Sequence, residues 1–196
     1  MIRPMEDSDL PAVQAMVRDV WEMDTYGEIG EEASYLYTSQ CVDRGDFSYV
    51  LEEDGAVLGC VVGRIVHTFS FPRHPLRMMR TVLSMRGRPG YEDAMSDMRI
   101  LDSTDAELLK SAGRGFDGEL VLLIVSGDAR GRGIGRKLYN LALDEFRSRG
   151  CREIFLFTDD DCGYGFYESS GAVRLAERPV RLANEDLLMM IYSVEL

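Results

Sequence analysis

The sequence predicts an α/β protein with a central, twisted, mixed β-sheet flanked by helices. Two apolar runs, ELVLLIV (residues 119–125) and EIFLF (153–157), are continuous enough to form strands covered on both sides. The segments between and around such runs place apolar residues at helical spacing instead. Because strand-like and helix-like segments alternate along the chain, we expect helices to pack on the faces of one sheet.

The first 45 residues predict a short strand and two helices. IRPM (2–5) is short and partly apolar. In the helix that follows, Asp9 can cap the free N–H groups, and Pro11 falls in the first turn, where a missing donor costs nothing. A second helix with a weaker apolar pattern is expected to stop near Gly45.

The next segment, residues 47–66, predicts a β-hairpin. Apolar and polar residues alternate from Phe47 to Leu51, as in a half-buried strand. Asp54 and Gly55 then supply the positive φ angles that a two-residue hairpin turn requires.

The second half of the chain continues with alternating elements. Helical spacing begins at Ile134 and ends near Gly150, and GYGFYESSG (163–171) predicts a short helix that Gly171 stops. The segments AVRLAE and LLMMIYSVEL close the chain as two strands. The predicted order is therefore β-α-α-β-β, an interruption, and then β-α-β-α-β-β.

The interruption is an insertion between the hairpin and the central strand. We expect one domain over residues 1–196, with residues 68–118 inserted as a lid, a substrate surface or an oligomer surface. An insertion with little role is the alternative. Within it, Thr104 and Glu107 have the spacing of a capping box that would start a helix over AELLKSAG.

The first part of the insertion is basic and rich in methionine. Its arginines could pair with acidic patches, contact a second subunit or recognise an anionic acceptor. Its methionines suit the interface of a homodimer and core packing equally well. The side chains are Arg73, Arg77, Arg80, Arg86, Arg88, Met78, Met79 and Met85.

Composition and charge exclude several classes of protein. With 22 basic and 34 acidic residues, the chain has a formal net charge of -12, which opposes binding to nucleic acid or an anionic membrane. It has neither an apolar run long enough to span a membrane nor a signal peptide, so a cytoplasmic location is expected. Four cysteines without C-x-x-C spacing and only two histidines predict free thiols and no metal site.

One segment of this acidic chain is locally basic. SGDARGRGIGRKLYN (126–140) places four glycines and three arginines where a buried strand passes into a helix. The start of a helix attracts phosphate through its free N–H groups and its dipole, and glycine lets a ligand approach the backbone. Arg136 and Leu138 flank Lys137, so the segment is not a P-loop. A dinucleotide fingerprint is weak as well, because Arg136 stands where its third glycine belongs.

The junction resembles the R/Q-x-x-G-x-G/A signature of the GNAT superfamily of N-acyltransferases. The order of elements is similar to the GNAT fold over nearly the whole chain, with residues 68–118 as the main departure. The resemblance implies acetyl-CoA as co-substrate, no metal, and a small-molecule or peptide amine as acceptor. The pantetheine arm would pair with the backbone at Leu123 and Val125. The pyrophosphate would be held by the backbone of Arg130, Gly131, Arg132, Gly133, Ile134, Gly135 and Arg136.

Acyl transfer from a thioester to a primary amine requires a proton donor for the departing thiolate. Phe166, Tyr167 and Gly171 resemble the family's F-Y-x-x-x-G segment, which assigns this role to Tyr167. A phenol with a pKa near 10 keeps its proton at neutral pH. A core aromatic whose hydroxyl is bonded to the backbone is the alternative for Tyr167, and Tyr164 is the second candidate donor.

The proton acceptor for the amine is less defined. Glu119 resembles the carboxylate that some GNAT members use, directly or through water. The acidic run Asp159, Asp160 and Asp161 could serve instead, attract a cationic amine, or be only a solvated loop. Asp160 occupies the position where the family often has an asparagine that touches the coenzyme, so that contact is in doubt.

Three other residues have side chains that could take part in catalysis. Cys162 would permit an acyl-enzyme, but no base is near it in sequence, so an inert thiol is favoured. His67 and His74 flank the start of the insertion and are not expected to act. The competing hypothesis for the whole chain is an acyl-CoA sensor or interaction module without turnover.

Overall fold

The strands of the computed structural model, which describes residues 1–66, 68 and 74–196, form one sheet of seven strands. The strands are β1 (Ile2–Pro4), β2 (Phe47–Glu53), β3 (Ala56–Ile65), β4 (Gly118–Val125), β5 (Glu153–Thr158), β6 (Val173–Arg181) and β7 (Asp186–Glu195). Their order across the sheet is β1-β2-β3-β4-β5-β7-β6. Only β4 and β5 pair in parallel, and the other pairings are antiparallel.

Six α-helices belong to the described part of the chain. They are α1 (Leu10–Val20), α2 (Gly30–Arg44), α3 (Pro75–Met85), α4 (Tyr91–Ser111), α5 (Ile134–Ser148) and α6 (Gly165–Ser169). The predicted mixed α/β architecture and the predicted order of strands and helices are confirmed. None of these helices combines the length and apolar character that crossing a membrane requires.

Helices cover both faces of the sheet. On one face, α5 packs through Leu138, Ala142 and Phe146, all fully buried. On the other face, α1 and α2 cover the strands β2 to β4, and α4 covers β5 to β7 through Leu108 and Phe155. Alternate side chains of β4 therefore pack into two separate cores, one on each face of the sheet. This agrees with the prediction that β4 is covered on both sides.

The hairpin turn has the predicted conformation. Asp54 and Gly55 have φ angles of 51° and 81°. Positive φ at both central residues matches the twist of the flanking strands, which fixes how β2 and β3 pair.

Asp9 does not cap α1 as predicted. Its carboxylate accepts hydrogen bonds from the Arg3 guanidinium at 2.7 Å and from the Glu6 amide at 2.8 Å, and no side-chain cap bond reaches α1. The charged fork of Arg3 is a stronger partner than neutral helix amides, so the carboxylate turns toward β1. Arg3 accordingly lowers the pKa of Asp9.

The predicted capping box inside the insertion is wrong. Thr104 and Glu107 lie in the middle of α4, which begins three turns earlier, after Gly90. The residues between contain no helix breaker, so the helix continues through them. Gly90 has a φ of 85°, and a Cβ there would lie 2.1 Å from a backbone oxygen of Tyr26, so only glycine fits at this start.

The insertion is packed into the domain rather than looped away from it. Asp97 of α4 is 2% exposed and accepts hydrogen bonds from the Tyr26 hydroxyl at 2.9 Å and the Ala183 amide at 3.0 Å. It thereby joins α4 to the segment before α2 and to the turn between β6 and β7.

The basic helix of the insertion divides its methionines between core and surface. Met85 is fully buried against α2, Met78 is half-buried and Met79 is exposed. Arg88 pairs with Glu32, which fits the alternative that these arginines pair with acidic residues elsewhere in the chain. Arg73 lies outside the described residues.

Candidate active site

A gap opens between β4 and β5. The two strands pair only at Gly118 with Ile154 and at Glu119 with Phe155. The register of β4 against β3 then shifts by one residue, which makes Val121 the extra residue of a β-bulge. A bulge bends its strand, so β4 leaves β5 beyond this point and the rest of β4 has a free edge.

The free edge of β4 offers main-chain groups to an extended ligand. Ser126 donates its amide to Leu58 of β3 at 2.9 Å. Because successive N–H groups along a strand point to opposite sides, the amides of Leu123 and Val125 point away from β3, into the gap. This arrangement fits the predicted pairing of a pantetheine arm with these two residues.

The turn from β4 to α5 has the properties of a phosphate cradle. Gly131 and Gly133 both have φ angles of 76°, and a Cβ on either would meet no described atom within 4 Å. Within the described part of the chain, the amides of residues 131–136 donate to no backbone carbonyl. These N–H groups at the start of a 15-residue helix fit an anionic ligand such as a pyrophosphate.

Several groups around this cradle already have partners within the protein, which the sequence alone did not indicate. The Arg130 amide already donates to Gly127 at 3.3 Å, which removes it from the set of free amides. Arg132 pairs with Glu53 at the end of β2. The Arg136 guanidinium lies 5.7 Å from the centre of the Phe166 ring. The side chains of Arg132 and Arg136 therefore have partners within the protein, and the backbone supplies the free donors.

Tyr167 lies in the middle of α6, on the α5 side of the sheet. Its ring contacts those of Tyr139, Phe166 and Tyr192, with centroids 5.3 to 6.5 Å apart. The side chain is half-buried and packs on the same cluster as Leu123. Burial raises the pKa of its hydroxyl above the usual value near 10, so the phenol stays protonated. No described residue hydrogen-bonds this hydroxyl, which leaves it free to donate.

Glu119 lies on the opposite face of β4 and is 3% exposed. One terminal nitrogen of Arg44 donates to both of its oxygens, at 2.7 and 2.9 Å. Arg64 of β3 lies 3.7 Å from Oε2. Since a guanidinium already engages both oxygens, this carboxylate has little hydrogen-bonding capacity left for a second role.

The acidic run after β5 serves mainly as a turn. Asp159 accepts the amide of Cys162 at 2.7 Å and the thiol at 3.5 Å. Asp160 is exposed and accepts the amide of Leu188 in β7 at 2.7 Å, and Asp161 is exposed. Burial and the neighbouring Asp159 raise the pKa of the Cys162 thiol. A thiol held protonated is a poor nucleophile, which agrees with its predicted inert role.

The remaining candidates lie at the margins of the site. The Tyr164 ring packs under the Arg174 guanidinium, at 5.4 Å. His74 is exposed, 3.6 Å from Asp7, and His67 lies outside the described residues. All four cysteines are free, as predicted. Among the described residues, no group of three potential metal-ligating side chains comes together.

A polar cluster between α2, α4 and β4, which we call the α2–α4 cluster, was not predicted from the sequence, although Glu119 was selected singly. Its members are Tyr37, Cys41, Arg44, Asp105 and Glu119, which interact electrostatically with one another. Burial is the main cause that raises the pKa of Asp105 to about 7, and Glu119 adds repulsion. Its Oδ1 is buried and has no hydrogen-bond partner. The only available sequence signal was an acid on the apolar face of α4, four residues after Leu101 and three before Leu108.

The chain belongs to the acetyltransferase (GNAT) family, whose model matches residues 14–172. It is therefore an acyltransferase, as the sequence predicts, and the gap and cradle lie within the matched residues. A search of curated proteins found no match.

Solved structures show the same fold over the whole chain. A ribosomal-protein-alanine N-acetyltransferase from Brucella melitensis is 18% identical with a TM-score of 0.61, covering 100% of this chain and 99% of that chain. The ribosomal-protein-S18-alanine N-acetyltransferase from Escherichia coli is 15% identical, with a TM-score of 0.56 and coverage of 100% and 92%. An aminoglycoside 6'-N-acetyltransferase complexed with coenzyme A is 15% identical, with a TM-score of 0.61 and coverage of 100% and 96%.

Proposed function

We propose that the protein transfers an acetyl group from acetyl-CoA to a primary amine by direct attack, without an acyl-enzyme. The proposal is supported by two neighbouring sets of main-chain donors: the amides of residues 131–136, which have no backbone partner in the described part of the chain, and those at the free edge of β4. A diphosphate at the amides would align an extended thioester arm with the amides of Leu123 and Val125. Tyr167 packs on the same cluster as Leu123, on the side of the gap where that arm would end.

Tyr167 supplies the proton that the departing thiolate needs. Its hydroxyl is protonated at neutral pH and has no partner among the described residues, so donation breaks no existing hydrogen bond. Donors at the free β4 edge would stabilise the oxyanion that develops on the thioester carbonyl. The alternative donor, Tyr164, is less suited because its ring is covered by Arg174.

Negative charge on the other face of β4 attracts the amine. Glu119 lies at the base of the gap and brings negative charge to the place where a cationic amine would enter. Asp160 lies at the edge of β7, and its proposed contact with the coenzyme depends on its second, unengaged oxygen.

The acceptor class follows from charge and from the relatives. The named relatives act on a ribosomal-protein alanine and on an aminoglycoside, both of which present an amine. A small-molecule or peptide amine is therefore the proposed acceptor, in a protein whose charge disfavours nucleic acid. A cytoplasmic location and a homodimer remain parts of the proposal.

The direct test is release of coenzyme A thiol from acetyl-CoA over a panel of primary amines. We expect release above the no-amine background, together with acetyl-CoA binding measured by calorimetry. Tight binding with release that never exceeds the background would favour the sensor. Absence of binding would overturn the proposal altogether.

A further inference from the structure

The α2–α4 cluster contains a carboxylate for which the proposed reaction has so far no role. Asp105 belongs to the insertion, yet it lies on the buried face of α4, one turn from Leu101 and from Leu108. Its side chain is half-buried, and the Oδ1 atom is shielded from solvent without a hydrogen-bond partner. A buried carboxylate oxygen without a donor is unfavourable, so a donor brought by a ligand would bind well there.

We propose that Asp105 is the group that accepts a proton from the acceptor amine, an inference that rests on the proposed N-acetyltransferase function. Glu119 is the nearest competitor for this role. Both of its oxygens are engaged by Arg44, whereas the Oδ1 of Asp105 is free. An ammonium group offers the N–H donors that Oδ1 lacks.

The charged groups around Asp105 are consistent with Asp105, rather than Glu119, accepting the proton. From α2, Arg44 and Tyr37 face it, and from β4, Glu119 faces it, with Arg64 of β3 beyond. Within α4 its acidic neighbour is the exposed Asp102. Burial is the main cause that disfavours a negative charge on Asp105, and repulsion from the nearby Glu119 adds to it. A general base works best when its pKa lies near the working pH, and the pKa of about 7 meets this condition.

Tyr37 connects this cluster to the opposite side of the gap. It interacts electrostatically with Cys41 and Asp105 and also with Cys162 and Asp159. Cys162 and Asp159 in turn interact with Tyr167, the proposed proton donor. Asp105 therefore interacts with Glu119, at the last pairing of β4 with β5, and is connected to Tyr167 through these intervening side chains.

The proton balance closes with these two groups. The Asp105 carboxylate takes one proton from the ammonium, which frees the nitrogen lone pair for attack on the carbonyl carbon. As the carbon–nitrogen bond forms and the carbon–sulfur bond breaks, sulfur keeps the bonding electron pair and takes the Tyr167 proton. The second N–H proton returns through water to the phenolate. Asp105 then releases its proton, so each turnover yields amide, thiol and one proton.

The test compares Asp105→Asn with Asp102→Asn, which removes an exposed charge one turn earlier on the same helix. For each variant, kcat/KM is measured from pH 5.5 to 9 with an amine that the wild type acetylates, and acetyl-CoA affinity is measured by calorimetry. We expect Asp105→Asn to lower kcat/KM about 100-fold and to remove the fall in rate below pH 7. Asp102→Asn should keep the rate at pH 8 within twofold, and acetyl-CoA affinity should change in neither variant.

Asp105→Glu provides a second variant that keeps a carboxylate. It should recover part of the rate and the acidic fall, which a purely structural role of Asp105 would not explain. The inference is overturned if Asp105→Asn keeps the wild-type rate, or if it loses rate while the same acidic fall remains. A wild type that binds acetyl-CoA but acetylates no amine would defeat the proposed function first, and this inference with it.

Discussion

The two sides of the gap between β4 and β5 use opposite means to present polar groups. On the α5 side, the donors are main-chain amides of residues 131–136, which are consecutive in sequence and belong mostly to exposed residues. On the other side, Tyr37, Asp105 and Glu119 come from three elements distant in sequence and are partly or fully buried. Exposed amides are solvated until a ligand arrives, whereas an unpaired buried carboxylate lowers the stability of the folded protein.

The two kinds of site differ in how many sequences can form them. An anion site made of backbone needs only glycines and a helix start, so many sequences can form it. A site made of side chains from α2, α4 and β4 depends on this insertion and on its packing. We therefore expect changes on the α5 side to affect the coenzyme, and changes on the α2–α4 side to affect stability and the amine.

The largest effect is expected from Tyr167→Phe, which tests whether the α5 side also supplies the proton. Loss of a general acid should lower turnover by about 10²–10⁴-fold, with acetyl-CoA affinity nearly unchanged. Single-turnover rates and calorimetry would measure the two quantities. Tyr164→Phe is the matched control and should keep its rate; a loss confined to that control would move the role to Tyr164.

The next effect concerns the stability of the α2–α4 side. Arg44→Met leaves the buried carboxylate of Glu119 without its guanidinium, which should lower the free energy of unfolding by about 2–3 kcal/mol. Urea denaturation would measure it. Arg18→Met removes an arginine from the more exposed pair with Asp24 and should change stability by less than about 1 kcal/mol. Equal losses in both variants would show that the burial of Glu119 is not decisive.

A smaller effect is expected on acetyl-CoA affinity when a charge is placed in the cradle, and a matched variant distinguishes charge from backbone strain. Gly133→Asp places a negative side chain against the bound phosphates and should weaken acetyl-CoA binding at least tenfold, about 1.4 kcal/mol. Gly150→Asp introduces the same residue at a φ of 82° at the other end of α5. Calorimetry should show unchanged affinity for this control, and equal weakening in both would point to strain alone.

The smallest effect is a dependence of stability on pH. The pKa of Asp105 is about 7 in the folded protein and about 3.9 unfolded, so the folded state holds this proton more tightly. Its contribution to stability is therefore present below pH 4 and is lost as the pH rises to 7. Asp105→Asn should be more stable than the wild type at pH 8, and the difference in the free energy of unfolding should close near pH 4. Thermal unfolding at both values would measure it, and a constant gap would contradict the linkage.

The sequence predicted the α5 side well because its signals are local. The apolar run of β4, the glycines up to Gly135 and the apolar spacing after Ile134 all act within some thirty residues. Local signals failed at Thr104, where a capping pattern was overridden by a longer helix, and at Asp9, where distant Arg3 competed for the carboxylate.

The α2–α4 side could not be predicted in the same way. Glu119 was selected from its place on β4, but its ion pair with Arg44 joins residues 75 positions apart. Asp105 carried no motif, and its environment arises only when α4 packs on the sheet.

The insertion has one more consequence for how the family can vary. Its two ends meet, because Ile65 pairs with Gly118 and the amide of Val66 donates to Asp117 at 3.0 Å. A tight turn could thus replace the whole segment without moving a strand. Such a shortened chain would lose Asp97 and Asp105 together and uncover Phe155. The insertion is therefore dispensable to the connection of β3 to β4, and we expect its exchange between relatives to change the acceptor while leaving the sheet intact.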